Sequence, residues 1–273
     1  MVTKPLATAA SSALKKIPRP YQIAAIGRNY LSHIKELNNT RPAEPFFFLK
    51  APSTILHPGE GPVQIPRDAN VHYEVELGVI FGKDIDAIKE NQVEGDEKRY
   101  QGTVLAGKPS KKDIAGGVIG SYFVAIDMTS RTYQDQAKKA GLPWSLGKNL
   151  KTFTPVSHII PRSALPPFPW KSDKIRLHLS VNGQERQNDS TDLMLTKIPG
   201  LVQHVSSVMP LFRGDWLLTG TPKGVGEVKG GDKMTAWLSV DGKVLEESKI
   251  EVDCVWRKDG YGSEKKAVAD EGC

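Results

Sequence analysis

The sequence predicts an α+β fold that is rich in β-structure, and three observations carry that prediction. The 25 glycines and 19 prolines cut the 273 residues into short apolar runs. Two segments, 71–81 and Ile175–Val181, alternate apolar side chains with period two, the spacing of a strand that buries a face. Helical spacing is confined to a few short stretches.

Taken in order, 21–27 reads as a strand, and 29–37 as a short helix whose Leu31, Ile34 and Leu37 recur at intervals of three. Residues 46–49 form a second apolar run. Across 71–81, Val71, Tyr73, Val75, Leu77, Val79 and Phe81 fall on one face, and His72, Glu74, Glu76, Gly78 and Ile80 on the other. The polar stretch 85–113 is an excursion from the sheet, and 122–127 a buried strand. Thr129 or Ser130 then caps a helix that runs to Ala140, closed by Gly141 and Pro143. The strand Ile175–Val181 meets Asn182-Gly183, a dipeptide suited to a type I′ hairpin turn. Segment 195–212 has helical spacing around Val202, Val205 and Met209, bounded by Pro199 and Pro210. Trp216–Leu218 leads into a glycine-rich segment, 219–226, and 233–240 with 243–255 make a final hairpin across Asp241-Gly242. The expected organisation is a flexible basic tail (1–20), one domain (21–256) and a mobile tail (257–273).

Composition excludes several classes. At 39% hydrophobic and 25% charged residues, the chain can bury a sizeable core and is neither disordered nor collagen-like. No run approaches the roughly 18 apolar residues of a membrane-spanning helix. Two cysteines, Cys254 and Cys273, provide neither a disulfide framework nor a cysteine zinc site, which suits a reducing compartment. The formal charge of +6 resides in residues 1–35, which hold Lys4, Lys15, Lys16, Arg19, Arg28 and Lys35 and no acid. The rest of the chain is neutral, so a nucleic-acid groove is not expected. The first 20 residues are basic, acid-free and rich in Ala, Ser and Thr, as organellar transit peptides are, and this sets a mitochondrial expectation beside that of a plain cytoplasmic tail.

Chemistry enters with three carboxylates. Glu74 and Glu76, two apart on a strand, point to one side about 6.5–7 Å apart at Cα and can reach one hard cation, although such pairs are commonly a solvated strand face. Asp127 ends the apolar run Phe123-Val124-Ala125-Ile126, where a carboxylate is costly unless paired or bound to metal. Three carboxylates without soft ligands suit Mg²⁺, Mn²⁺ or Ca²⁺. His33 and Glu36 share a helix face, so His33 can act as a general base oriented by Glu36. Lys148 has no acidic neighbour in sequence and reads either as a solvated lysine or as a contact for an anionic carboxylate. Segment 219–226 lacks the P-loop and Rossmann patterns, which argues against a nucleotide.

Together, Gly27-Arg28-Asn29-Tyr30 with His33 and Glu36, Phe48-Leu49-Lys50, His72-Tyr73-Glu74-Val75-Glu76-Leu77, Asp127-Met128-Thr129 with Arg131 and Gln134, Gly141-Leu142-Pro143-Trp144, Lys148 and Leu218 through Gly226 resemble the fumarylacetoacetate hydrolase superfamily. The resemblance is to its mitochondrial acylpyruvase, oxaloacetate decarboxylase and oxaloacetate tautomerase branch, and it runs from about Ile23 to Val255. It implies a mixed β-sandwich roll, a homodimer, and Mg²⁺ or Mn²⁺ held by Glu74, Glu76 and Asp127. It further implies catalytic roles for His33, Glu36 and Lys148, on a helix that orders as a lid in the case of the first two, and substrate contacts from Arg28, Lys50, Arg131, Gln134 and Thr221. The segment from about Lys89 to Asp113 is longer than this branch leads one to expect.

The implied substrate is a small 2-oxo acid, acted on through a metal-chelated enolate. Oxaloacetate tautomerisation comes first, decarboxylation next and acylpyruvate hydrolysis as the alternative, with no nucleic-acid or membrane partner. A non-catalytic metal-binding scaffold of the same fold is the reading from a different class.

Overall fold

The computed structural model describes residues 15–105 and 117–264. Its main sheet is six-stranded and mixed, in the order Ile160–Pro161, Ile119–Ile126, Val75–Phe81, Trp216–Leu218, Ile23–Gly27, Phe46–Lys50. Neighbours are antiparallel except Ile23–Gly27 and Trp216–Leu218, which run parallel. A second sheet runs Gln184–Ser190, Ile175–Val181, Lys233–Val240, Ile250–Trp256, Val63–Ile65, with Lys243–Val244 added beside Lys233–Val240. A small third sheet joins Gly226–Val228, Val71–Tyr73 and Thr129–Ser130.

Period-two alternation puts both faces of the main sheet to use. Leu77, Val79, Val124 and Ile126 pack with Leu177, Leu179, Ala236 and Leu238 of the second sheet in one large core. Ile80, Phe123, Ala125, Trp216 and Leu218, from alternate positions, form a second cluster with Ile17 and Val156. Every residue of Val75–Phe81 is buried, so the face that carries Glu76 is not a solvated strand face. Gly78 permits this packing: a Cβ there would lie 2.3 Å from the Phe123 ring.

The expected single strand over 71–81 is two. Val71–Tyr73 pairs in the small sheet and Val75–Phe81 in the main one, and the chain switches sheets at Glu74. At the switch a side chain takes up a backbone donor, the Val75 N–H donating to Gln187 Oε1 at 3.0 Å. Ser130 is the helix cap, its Oγ accepting the Tyr133 N–H at the start of Arg131–Lys139. Asn182 and Gly183 both take positive φ, 53° and 77°, as a type I′ turn requires.

Two boundaries differ from expectation. Residues 15–20 lie against the domain: Ile17 is buried, and the Ile159 N–H donates to the Lys15 carbonyl at 3.0 Å. Residues 257–264 also pack, with the Arg67 N–H on the Gly262 carbonyl at 2.7 Å and Tyr261 edge-on to Tyr133. The expected tails over 1–14 and 265–273 lie outside the described residues. The polar excursion contains a helix, Glu90–Leu105, and the buried Arg162–Glu97 ion pair (2.5 Å) ties it to the body.

Candidate active site

The sheet switch and a strand end bring the carboxylates together. Glu74 and Glu76 flank Val75, and Asp127 directly follows Ile119–Ile126, its N–H bonded to the Glu74 carbonyl at 2.8 Å. One carboxylate oxygen from each of Glu74, Glu76 and Asp127 lies within 4.8 Å of the others, and all three residues are buried.

Three cations meet two of these carboxylates. Lys148, on the short helix Ser145–Lys148, donates from Nζ to Glu74 Oε2 at 2.8 Å and to Asp127 Oδ2 at 2.6 Å. Arg131 Nη2 donates to Glu74 Oε1 at 2.5 Å. Lys50 Nζ bonds Asp127 Oδ1 (2.5 Å) and the carbonyls of Lys148 (2.8 Å) and Phe153 (3.1 Å). These are all three of its N–H groups, so Lys50 sits behind Asp127, away from the pocket wall where a substrate contact would have to be.

Glu76 differs. Its Oε2 accepts the Gly220 N–H at 2.7 Å, and no cation stands within ion-pair distance among the described residues. Burial, then the charges of Asp127 and Glu74, raise its pKa well above the ordinary carboxylate value. For Glu74, burial acts upward, but Lys148 and Arg131 overcome it and hold the group well below its ordinary range. Burial likewise opposes charge on Lys148, yet Asp127 and Glu74 outweigh it and raise its pKa, so this lysine is an ammonium donor. Three buried carboxylates, one of them without a counter-cation at ion-pair distance, form an oxygen-only donor set. That chemistry fits a hard divalent metal.

Glu74 and Glu76 line a pocket of about 350 Å³, with Asp127 next to them. Its polar wall carries His33, His72, Arg131, Gln134, Lys148 and Thr221; Phe46, Phe48 and Trp144 form an apolar wall, and Arg28 lines the rim. Burial and Arg131 push His72 down to about 4, and its neutral Nδ1 accepts the Arg131 Nε–H at 3.2 Å. Thr221 Oγ1 donates to the Val75 carbonyl at 2.8 Å. The helix Leu31–Glu36 presents His33, with Nδ1 3.6 Å from Glu36 Oε2. Glu36 accepts the Gly224 N–H at 3.0 and 3.1 Å through its two oxygens. Burial pulls the Glu36 pKa upward, but the His33 ring and the Gly224 N–H more than offset it, and the value is lowered.

The structure thus gathers Glu74, Glu76, Lys148, His33, Arg131, Gln134, Thr221 and Arg28 around one space, with Asp127 beside Glu74 and Lys148 and Glu36 beside His33. The acid partners that Lys148 lacks in sequence are supplied by Glu74 and Asp127. Sequence reasoning missed the backing role of Lys50, the Gly220 N–H on Glu76, the His72–Arg131 contact and Gln187. Within its all-polar strand Gln187 gave no signal of burial.

A family model for the C-terminal region of fumarylacetoacetate hydrolase matches residues 22–95 and 103–252. The chain belongs to the fumarylacetoacetate hydrolase family. A mitochondrial oxaloacetate tautomerase of Schizosaccharomyces pombe is 45% identical over 222 residues, covering 81% of this chain and 90% of that protein. A mitochondrial oxaloacetate decarboxylase of Dictyostelium discoideum is 40% identical over 211 residues, covering 77% of this chain and 85% of the relative. Among solved structures, fumarylpyruvate hydrolase from Pseudomonas aeruginosa, in complex with Mn²⁺ and pyruvate, superimposes with a TM-score of 0.70 at 26% identity, covering 91% of this chain and 94% of that one. The β-rich mixed fold is therefore that of the family, and the family resemblance read from the motifs holds.

Proposed function

We propose that this family member is a Mg²⁺-dependent enzyme of oxaloacetate, a keto–enol tautomerase first and a decarboxylase next. Mn²⁺ is the alternative ion. The observation that carries this reading is the buried, oxygen-only Glu74–Glu76–Asp127 cluster, whose two glutamates line a pocket that also presents His33, Lys148 and Arg131. The identity to oxaloacetate tautomerases and decarboxylases supports the choice of substrate, and their mitochondrial names support a matrix location together with the basic, acid-free composition of residues 1–20.

A divalent cation held by Glu74, Glu76 and Asp127 supplies stabilisation of negative charge that develops on the substrate's oxygens, worth several kcal/mol. The chain's own residues do the rest. Arg131, Arg28 and Gln134 bind the substrate's carboxylates, and Thr221 lines the same pocket. Lys148 donates to developing negative charge from its ammonium. His33 takes the proton from C3 and delivers it to the C2 oxygen to give the enol, or carries it from that oxygen back to C3 in the reverse direction, with Glu36 orienting the ring and itself fixed by the Gly224 N–H. Lys50 holds Asp127 in place from behind.

The same His33–Glu36 pair can deliver water to a C4 ketone, and this favours acylpyruvate hydrolysis as the second reading. A homodimer is the proposed assembly, on the strength of the family resemblance. The test follows enol absorbance and pyruvate in one cuvette with oxaloacetate and Mg²⁺. Enol decay far faster than pyruvate release is the expected result. Equal rates identify a decarboxylase, and silence in both channels with turnover of acetylpyruvate identifies the hydrolase.

A further inference from the structure

Gln187 lies on the strand Gln184–Ser190, a run without an apolar residue, yet it is 0% exposed. Its amide is engaged at both ends. Oε1 accepts the Val75 N–H at 3.0 Å, and Nε2 donates to Thr221 Oγ1 and to the Pro222 carbonyl, each at 2.9 Å. Thr221 Oγ1 donates in turn to the Val75 carbonyl. A closed ring therefore runs from the Val75 N–H through Gln187 and Thr221 back to the Val75 carbonyl.

Val75 separates Glu74 from Glu76 and stands where the chain changes sheets, so ladder bonds alone do not fix it. Both of its backbone polar groups are held by this ring. The neighbouring residue on the strand acts on the same loop: Gly224, at φ +93°, packs so closely on the Arg186 carbonyl that a Cβ would lie 2.0 Å from the oxygen. The Gly224 N–H then holds Glu36. One short stretch, Arg186-Gln187, thus supports the glutamate pair through Val75 and the loop that anchors Glu36.

We infer that Gln187 is a positioning residue that sets Glu74 and Glu76 for metal binding, acting through Val75 and Thr221. The inference rests on the metal reading given above. Groups that orient metal ligands from outside the coordination sphere change affinity about 10–100-fold when removed. A purely structural buried amide would lower stability and leave metal affinity alone.

The test measures Mn²⁺ affinity by calorimetric titration of EDTA-stripped full-length protein. Gln187→Met keeps length and removes both ends of the amide; Val205→Ala, in the core of the helix Ile198–Val208, lowers stability far from the site. We expect Mn²⁺ affinity to fall about 10–100-fold in Gln187→Met and to stay within about twofold of wild type in Val205→Ala. Unchanged affinity in Gln187→Met, or an equal loss in Val205→Ala, overturns the inference. Should Gln187→Met fail to fold, Thr221→Val removes the hydroxyl from the ring and carries the same expectation and the same overturning result. Wild-type protein that binds no Mn²⁺ overturns the metal reading itself, and this inference with it.

Discussion

Replacing Glu76 with Gln removes one negative charge from a buried cluster while preserving its shape. The amide oxygen can keep the Gly220 N–H, and the NH₂ group then faces Glu74 and Asp127 as a donor. With carboxylate oxygens within 4.8 Å, one like-charge pair costs about 3.5 kcal/mol at an effective dielectric of about 20. Glu76 takes part in two such pairs and loses only the partial compensation of Lys148. Metal-free Glu76→Gln should therefore melt at or above the wild-type temperature. Because burial and its acidic neighbours raise the Glu76 pKa, metal-free wild type loses stability as pH rises from about 4.5 through the raised value, and the variant lacks that loss. Metal reverses the ranking. At a hundredfold excess over Kd, binding stabilises wild type by about 2.7 kcal/mol. That is a rise of roughly 5–11 °C for a domain of this size, and the variant should show little of it. Thermal scans in EDTA and in excess Mn²⁺ read both effects. A full Mn²⁺ shift in Glu76→Gln, or a collapse of its stability in EDTA, would refute the reasoning.

Lys148→Met leaves Glu74 and Asp127 short of a buried cation and should cost about 3–5 kcal/mol in EDTA by chemical denaturation, with turnover abolished. His33→Asn should keep the melting temperature and Mn²⁺ affinity of wild type, while stopped-flow turnover of oxaloacetate falls about 10²–10⁴-fold. Glu36 contributes stability that is present above about 4.5 and is lost as pH falls through its lowered value. Glu36→Gln should remove that acid-side loss, as read from denaturant midpoints across the acid range.

What the sequence disclosed follows from which forces are local. Alternation in Val75–Phe81 and Ile175–Val181 located the sheets because period two is written in adjacent residues. Asp127 was legible because a carboxylate closing an apolar run demands an explanation. Lys148 was ambiguous, since its partners lie 74 and 21 residues away. The sheet switch at Glu74 was invisible, and Gln187, whose side chain accepts the Val75 N–H there, is 112 residues from Val75. The packing of Ile17 depends on the distant 156–159 segment, so a basic, small-residue stretch looked like tail to its end. Glu90–Leu105 looked like an excursion because it lacks an apolar stripe and is tied down through the Arg162–Glu97 pair. Lys50 was assigned a substrate contact because motif position reveals a residue's neighbourhood and not which side of Asp127 it approaches from.

On the proposed function, the Glu74–Glu76–Asp127 cluster binds one divalent ion and oxaloacetate chemistry depends on it. Mn²⁺ titrated into EDTA-stripped protein, with bound metal and oxaloacetate turnover read from the same samples, tests this most directly. One ion per chain is expected, with a turnover curve that superimposes on the binding curve. Full turnover in metal-free protein, or activity that saturates independently of occupancy, would contradict it.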